Sequence, residues 1–274
     1  MKKIFKKIFY FVITATTIAS LASCNKLLQE NQSDSEDVLK LEMEENDFLK
    51  EEEIASNPCS FDYASLLAPC AVVTESSSTF PKTVTIDYGT GCIDANGRTT
   101  KGKIIINVSG DMRVAGNTRT VTFENFYIND VKIEGSRNAE NTGPNSAGNM
   151  VVKITGDITA TNGEFSRNRS FTRFREWISG IATCDISDDE FHVTGSGTAI
   201  GRRGIEIPHT ITEKIVLKPG ECKYPLSGKI DIGNATRGVI LNFGNGTCDN
   251  IAEATTKRRN KTYQIDLDTR RIIQ

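Results

Sequence analysis

The sequence predicts an all-β protein, an antiparallel meander curled into a sandwich or a partly closed barrel. Three observations predict this class. Short runs of alternating polar and apolar residues follow one another from Pro58 onward, with the period of two that a half-buried strand requires. Turn residues separate them, at Asn96-Gly97, Ser109-Gly110-Asp111, Ala115-Gly116-Asn117, Thr161-Asn162-Gly163 and Gly244-Asn245-Gly246, and Asn-Gly tolerates the positive φ of a tight hairpin turn. No segment keeps apolar residues at helical spacing through several capped turns.

Taken in order, residues 1–23 read as an export signal. Lys2, Lys3, Lys6 and Lys7 supply a charged start, and the apolar run 8–21 behind them is too short and too rich in Thr to span a bilayer well. Leu21-Ala22-Ser23-Cys24 closes the run with small residues that open the backbone to a peptidase. This pattern resembles the lipobox of bacterial lipoproteins, which implies diacylglyceryl transfer to the Cys24 thiol, cleavage before it, and anchoring by lipid. Residues 24–57 are the lipidated Cys and an acidic tether. Val38, Leu41, Phe48 and Leu49 have roughly the spacing of one helical face, but the charge density of residues 30–53 favours a solvated spacer. Acidic residues behind a lipidated Cys also resemble the surface-export signals of Bacteroidota lipoproteins, although here Lys26 intervenes before Glu30.

Residues 58–274 form the β domain. Its predicted strands are residues 83–88, 103–108, 118–123, 127–134, 150–154, 191–194, 211–216 and 262–267. Of the 7 Cys the lipobox takes one, leaving Cys59, Cys70, Cys92, Cys184, Cys222 and Cys248 as an even set in an oxidising compartment. The strand-like stretch 223–232, the turn Gly233-Asn234 and the run 239–243 bring Cys222 beside Cys248 in one antiparallel hairpin. Residues 71–74, a Ser-rich turn and residues 83–88 do the same for Cys70 and Cys92. Elimination leaves Cys59 with Cys184.

The two hairpins also form an internal repeat. Val84-Thr85-Ile86-Asp87-Tyr88-Gly89-Thr90-Gly91-Cys92 parallels Val239-Ile240-Leu241-Asn242-Phe243-Gly244-Asn245-Gly246-Thr247-Cys248. Each Gly-x-Gly lets the strand end bend sharply so that the Cys reaches back to its partner. Each copy is expected to be followed by a polar loop and a strand, at 103–108 or at 262–267.

The lipobox, the acidic tether, Ile86-Asp87-Tyr88-Gly89-Thr90-Gly91-Cys92 and the closing Gly244-Asn245-Gly246-Thr247-Cys248-Asp249-Asn250 together resemble a group of Bacteroidota exported lipoproteins of unknown function. The likeness covers most of the mature chain. It implies export, anchoring and a β-rich domain, and it carries no activity and no catalytic residue.

Nucleophilic chemistry finds little support. The chain has only 2 His, neither preceded by Gly-x-Ser-x-Gly. His192 sits in Phe191-His192-Val193 like a half-buried strand residue, and His209 follows Pro208 in an expected loop. No His-Glu-x-x-His, P-loop or dinucleotide glycine pattern occurs, and no Cys/His cluster has metal-ligand spacing, so neither metal nor cofactor is expected. Asp94-Ala95-Asn96-Gly97 partly matches a calcium loop but lacks the later Glu, and reads better as a hairpin turn. Paired carboxylates are the remaining catalytic candidates, since glycan hydrolysis needs only two. Asp185, Asp188, Asp189 and Glu190 cluster behind Cys184, with Asp87 in the first repeat; an exposed acidic turn is the simpler account.

One constellation points to binding. Phe165, Arg167, Arg169, Phe171, Arg173, Arg175 and Trp177 occupy every second position. On a strand, four guanidinium groups and three aromatic rings, the only Trp among them, share one face. Rings stack on sugars, and Arg offers planar donors to carboxylates, sulfates or phosphates. The simpler account is cross-strand packing, with Arg stems covering the aromatics and pairing with carboxylates on the next strand.

The expected protein is therefore an outer-membrane lipoprotein, on the cell surface or the periplasmic face, held in the membrane through the lipid on Cys24. Its β domain is expected to act as a non-catalytic binding or structural module for a glycan, lipopolysaccharide or another polyanion, or for an envelope protein. Formal net charge is -2, which gives no global bias toward polyanions, and no nucleic-acid partner is expected. The alternatives are an envelope glycan or peptidoglycan hydrolase, and an adhesin or surface-assembly subunit.

Overall fold

Alternation in the sequence becomes alternation in burial. In a computed structural model, which describes residues 67–93, 99–163, 165–201, 204–269 and 271–273, the strand Lys82–Asp87 buries every second side chain, and Ser227–Gly233 does likewise. The export signal, Cys24, the tether, Cys59 and Asp94-Ala95-Asn96-Gly97 lie outside the described residues.

Fifteen strands form a single antiparallel sheet among the described residues. They are β1 (Val72–Glu75), β2 (Lys82–Asp87), β3 (Cys92–Ile93), β4 (Thr99–Val108), β5 (Thr118–Ile128), β6 (Val131–Pro144), β7 (Met150–Asn162), β8 (Phe165–Ser179), β9 (Glu190–Ile200), β10 (Glu206–Leu217), β11 (Ser227–Gly233), β12 (Gly238–Asn245), β13 (Ile251–Thr256), β14 (Thr262–Asp266) and β15 (Arg271–Ile272). Fourteen follow one another from edge to edge in chain order, and β3 pairs with β4 off that path. Among the described residues the edge strands β1 and β15 do not pair, so the sheet is not closed into a barrel. The single helical element among the described residues is the 3-10 turn Ile186–Asp188, and no helix there is long and apolar enough to cross a membrane.

The meander is as the sequence predicts, with three differences that have local causes. Residues 127–134 are not one strand. Asn129 and Asp130 take φ values of 48° and 65°, the paired positive φ of a tight hairpin turn, and split the run between β5 and β6. The central strands β6, β7 and β8 reach 14, 13 and 15 residues, longer than the apolar alternation indicates, because inward positions such as Arg137, Asn141 and Gly156 interrupt it. The strand that follows the second repeat is β13 rather than residues 262–267, which form the next strand, β14. Its inward residues are Ala252 and Ala254, too small to mark a hydrophobic period.

Both predicted hairpin bridges form. Cys70–Cys92 and Cys222–Cys248 join Cα atoms 5.9 and 5.5 Å apart, flanking the antiparallel pairs β1–β2 and β11–β12. In the two repeats Gly89, Gly244 and Gly246 take φ values of 58°, 96° and 107°, which L side chains adopt only at a cost. Cys184 is disulfide-bonded as well; its expected partner Cys59 is outside the described residues.

Curling the sheet creates two apolar cores. The first gathers Val84, Ile86, Ile104, Ile106 and Phe126 and extends to Phe171 of β8. The second gathers Ile230, Ile232, Leu241, Phe243 and Ile265. Each fully buried Ile or Leu contributes about 1.5–3 kcal/mol relative to exposure. Strand β8 lies between these cores, and there the interior changes character.

Candidate functional site

Burial alternates along β8. Arg167, Arg169, Phe171, Arg173 and Arg175 all face the interior, each 8% exposed or less, while Ser170 and Phe174 face solvent. The predicted row is thus real as a row, and it lies inside the curl. The side chain of Phe165 is outside the description. Trp177 is half-buried at the end of the row, where its Nε1 donates to Asp189 Oδ1 at 2.8 Å and its ring lies 5.0 Å from that of Phe191.

Cross-strand register carries this face across the molecule. Directly opposed residues run Ile106, Val121, Arg137, Gly156, Phe171, Gly197, His209, Ile232 and Val239. A neighbouring row runs Val108, Arg119, Ala139, Ile154, Arg173 and Gly195. Opposed residues share a face, so Arg119 of β5 and Arg137 of β6, both buried, join the four guanidiniums of β8. Sequence reasoning missed both. The signal was present in phase: Arg119 alternates with Val121, and Arg137 with Ile133 and Ala139, all inward residues.

Phe171 is the centre of the cluster. The guanidinium carbons of Arg169, Arg173 and Arg137 lie 4.8, 5.9 and 6.0 Å from its ring centroid, and Arg175 lies 4.6 Å from that of Phe191. Desolvated pairs of this kind contribute about 2 kcal/mol or more. Space for the large side chains comes from glycine. A Cβ on Gly156 would meet the Phe171 ring at 2.3 Å, and one on Gly197 would meet His209 Nε2 at 2.5 Å.

His209 corrects the sequence reading. It sits in strand β10, not in a loop, and is 1% exposed. Pro208 before it faces away from the interior, a position that a strand accommodates when its missing N–H is not needed. Arg169 Nε lies 3.4 Å from His209 Nε2, and since a guanidinium only donates, the ring nitrogen accepts.

Comparison with family models, with curated proteins and with solved structures finds no match. The residues themselves therefore carry the functional argument.

Arg is cationic at every accessible pH. Arg119, Arg137, Arg167, Arg169, Arg173 and Arg175 share one buried face, and each of them is engaged in an interaction there. Burial pushes the Asp189 carboxyl above its ordinary range, as does the neighbouring Asp188, against the opposing effects of the Trp177 N–H, Arg175 and Arg113.

The acidic turn is built by local hydrogen bonds. Asp185 caps the 3-10 turn, accepting from the Ser187 N–H at 2.9 Å, and that bonding holds its carboxyl below the ordinary range. Asp188 accepts from the Thr183 hydroxyl at 2.9 Å. Glu190 lies 2.9 Å from His192 Nε2 and 3.5 Å from Lys218 Nζ; His192 is half-buried in β9, as expected. Asp87 accepts from the Gly89 N–H at 2.8 Å on β2. Arg113 ties the turn to the β4–β5 connection, with Nη1 donating to the Thr183 carbonyl at 2.7 Å and Nη2 to Asp111 at 2.8 Å.

Proposed function

We propose that this protein is a lipid-anchored envelope module without catalytic activity, whose curled sheet binds an extended polyanion along the arginine row of β8. One observation supports the reading above others: Arg167, Arg169, Arg173 and Arg175 repeat along one inner face that also holds Arg119 and Arg137. Alternate residues of a strand stand roughly 7 Å apart, a spacing suited to a chain that carries an acidic group on each unit. Phe171 adds a flat ring among the guanidiniums, which suits a sulfated or uronic-acid glycan, or the phosphorylated sugars of lipopolysaccharide. The lipobox resemblance supports lipid anchoring of the module in the outer membrane. Hydrolysis is the weaker reading, since Asp185, Asp188, Asp189 and Glu190 are each engaged in shaping their own turn.

The test uses heparin as the probe and the detergent-solubilised lipoprotein as the receptor. Saturable binding that weakens with salt is expected. Changing Arg169 and Arg173 together to Gln should lower the affinity at least about tenfold, with the β-sheet circular dichroism retained. Equal affinity for the native and the changed protein overturns the assignment of the site.

A further inference from the structure

We infer that the basic end of the sheet, built by the β11–β12 and β13–β14 turns, lies on the anionic headgroups of the membrane that holds the protein. The inference rests on the lipid-anchored reading and adds how the domain is oriented above the lipid. In a meander every second connection falls at the same end, so residues 234–237, between β11 and β12, lie at the same end as residues 257–261, between β13 and β14. Hydrogen bonds fix the two turns together. Asn234 Oδ1 accepts from the N–H groups of Thr236 and Arg237 at 3.0 and 2.8 Å. The Lys257 N–H donates to the Gly238 carbonyl and its Nζ to the Asn234 carbonyl, each at 3.0 Å, and Nζ also pairs with Asp231. Asn260, at a φ of 49°, closes the second turn.

This scaffold presents exposed positive charge. Arg237, Arg258, Arg259 and Lys261 all face solvent, and none of them forms an ion pair among the described residues. Lys261 Nζ stands 4.5 Å from the ring centroid of Tyr263. Residues 204–206, 234–237 and 257–261 together hold five basic residues and one acidic residue, Glu206. At the other end of the same strands, residues 180–189, 218–226, 246–250 and 267–270 hold six acidic residues against three basic. This half of the domain therefore carries opposite charge at its two ends, and a negatively charged surface turns the basic end toward itself. Exposed aliphatic side chains stand at that end too. Ile200 and Ile205, 43% and 47% exposed, flank the β9–β10 connection, and β10 pairs with β11. Cations beside exposed isoleucines match a headgroup layer, which offers phosphates to the first and the acyl boundary to the second. A soluble polyanion would use the cations alone. Each Lys or Arg brought near an anionic membrane raises partitioning about fivefold.

The experiment reconstitutes the full-length lipoprotein, with photoreactive benzoylphenylalanine at Ile205, into two kinds of vesicle. One is pure phosphatidylcholine, and the other mixes phosphatidylglycerol with it in equal parts. A second protein carries the photoreactive group at Glu221, exposed at the opposite end, and lipid adducts on each peptide are read by mass. Adducts are expected from position 205 in the anionic vesicles and not from position 221. They should fall at least about tenfold in phosphatidylcholine, and likewise when Arg237→Gln, Arg258→Gln, Arg259→Gln and Lys261→Gln are combined. No adduct from position 205, equal yields in the two vesicles, equal yields from the two positions, or a yield unchanged by the four substitutions overturns the inference. Flotation with phosphatidylcholine vesicles reads the anchor separately. Flotation there without adducts keeps the anchor and overturns the docked end; adducts in anionic vesicles without such flotation support the docked end and overturn the anchor.

Discussion

Phe171 fills the space that Gly156 leaves open on the neighbouring strand. The two residues are directly opposed in the β7–β8 pair, and a Cβ on Gly156 would lie 2.3 Å from the Phe171 ring. Gly156→Ala should therefore force the ring from its place among Arg137, Arg169 and Arg173, at a cost of about 1–3 kcal/mol. Urea unfolding measures it; an unchanged midpoint would mean that the ring yields freely.

The second hairpin bridge closes a 26-residue separation between Cys222 and Cys248. Replacing both with Ala should lower stability by about 2–4 kcal/mol, mainly by freeing the unfolded chain. Peptide mapping of the native protein without reductant should recover a linked Cys222–Cys248 peptide. Recovery of Cys222 joined to Cys92 instead would refute the hairpin pairing.

Ile106 and Ile232 are fully buried in different cores. Each changed to Ala should cost about 2–5 kcal/mol, and the costs should add within about 0.5 kcal/mol, because the two residues belong to separate core clusters. A double-mutant cycle reads the coupling directly. Strong coupling would show that the curled sheet packs as one core.

Stability should fall in acid through Asp111. Burial by itself raises the pKa of this carboxyl, but the hydrogen bonds and charge of Arg113 outweigh burial and hold it below the ordinary range. A lowered folded-state pKa stabilises the protein above the ordinary Asp value, about 3.9, and the contribution is lost as pH falls through the folded value. For this partly exposed pair it amounts to about 1 kcal/mol at most. Asp111→Asn should thus reduce the urea midpoint at neutral pH, and the difference from the native protein should vanish in acid. A difference that persists in acid would point to packing instead.

The antiparallel meander and both hairpin bridges were legible because their signals are local. The runs around Val84 and Val239 alternate, Gly-x-Gly ends each, and the Cys positions follow from antiparallel pairing alone. The β8 row was legible for the same reason, since a period of two puts Arg167 through Trp177 on one side. Strand β13 and the loop assignment of His209 failed where Ala252, Ala254 and Pro208 carry no hydrophobic or strand-forming signal.

The sequence by itself determined an all-β meander and the residues that share each strand face. Only the tertiary structure decided that the arginine face points inward, that Arg119 and Arg137 join it, and that His209 stands two strands away from Arg169 Nε at 3.4 Å. The reason is geometric. A period of two names the members of a face, whereas which face is covered, and which distant residues stand opposite, depends on strand register and on the curl of the whole sheet.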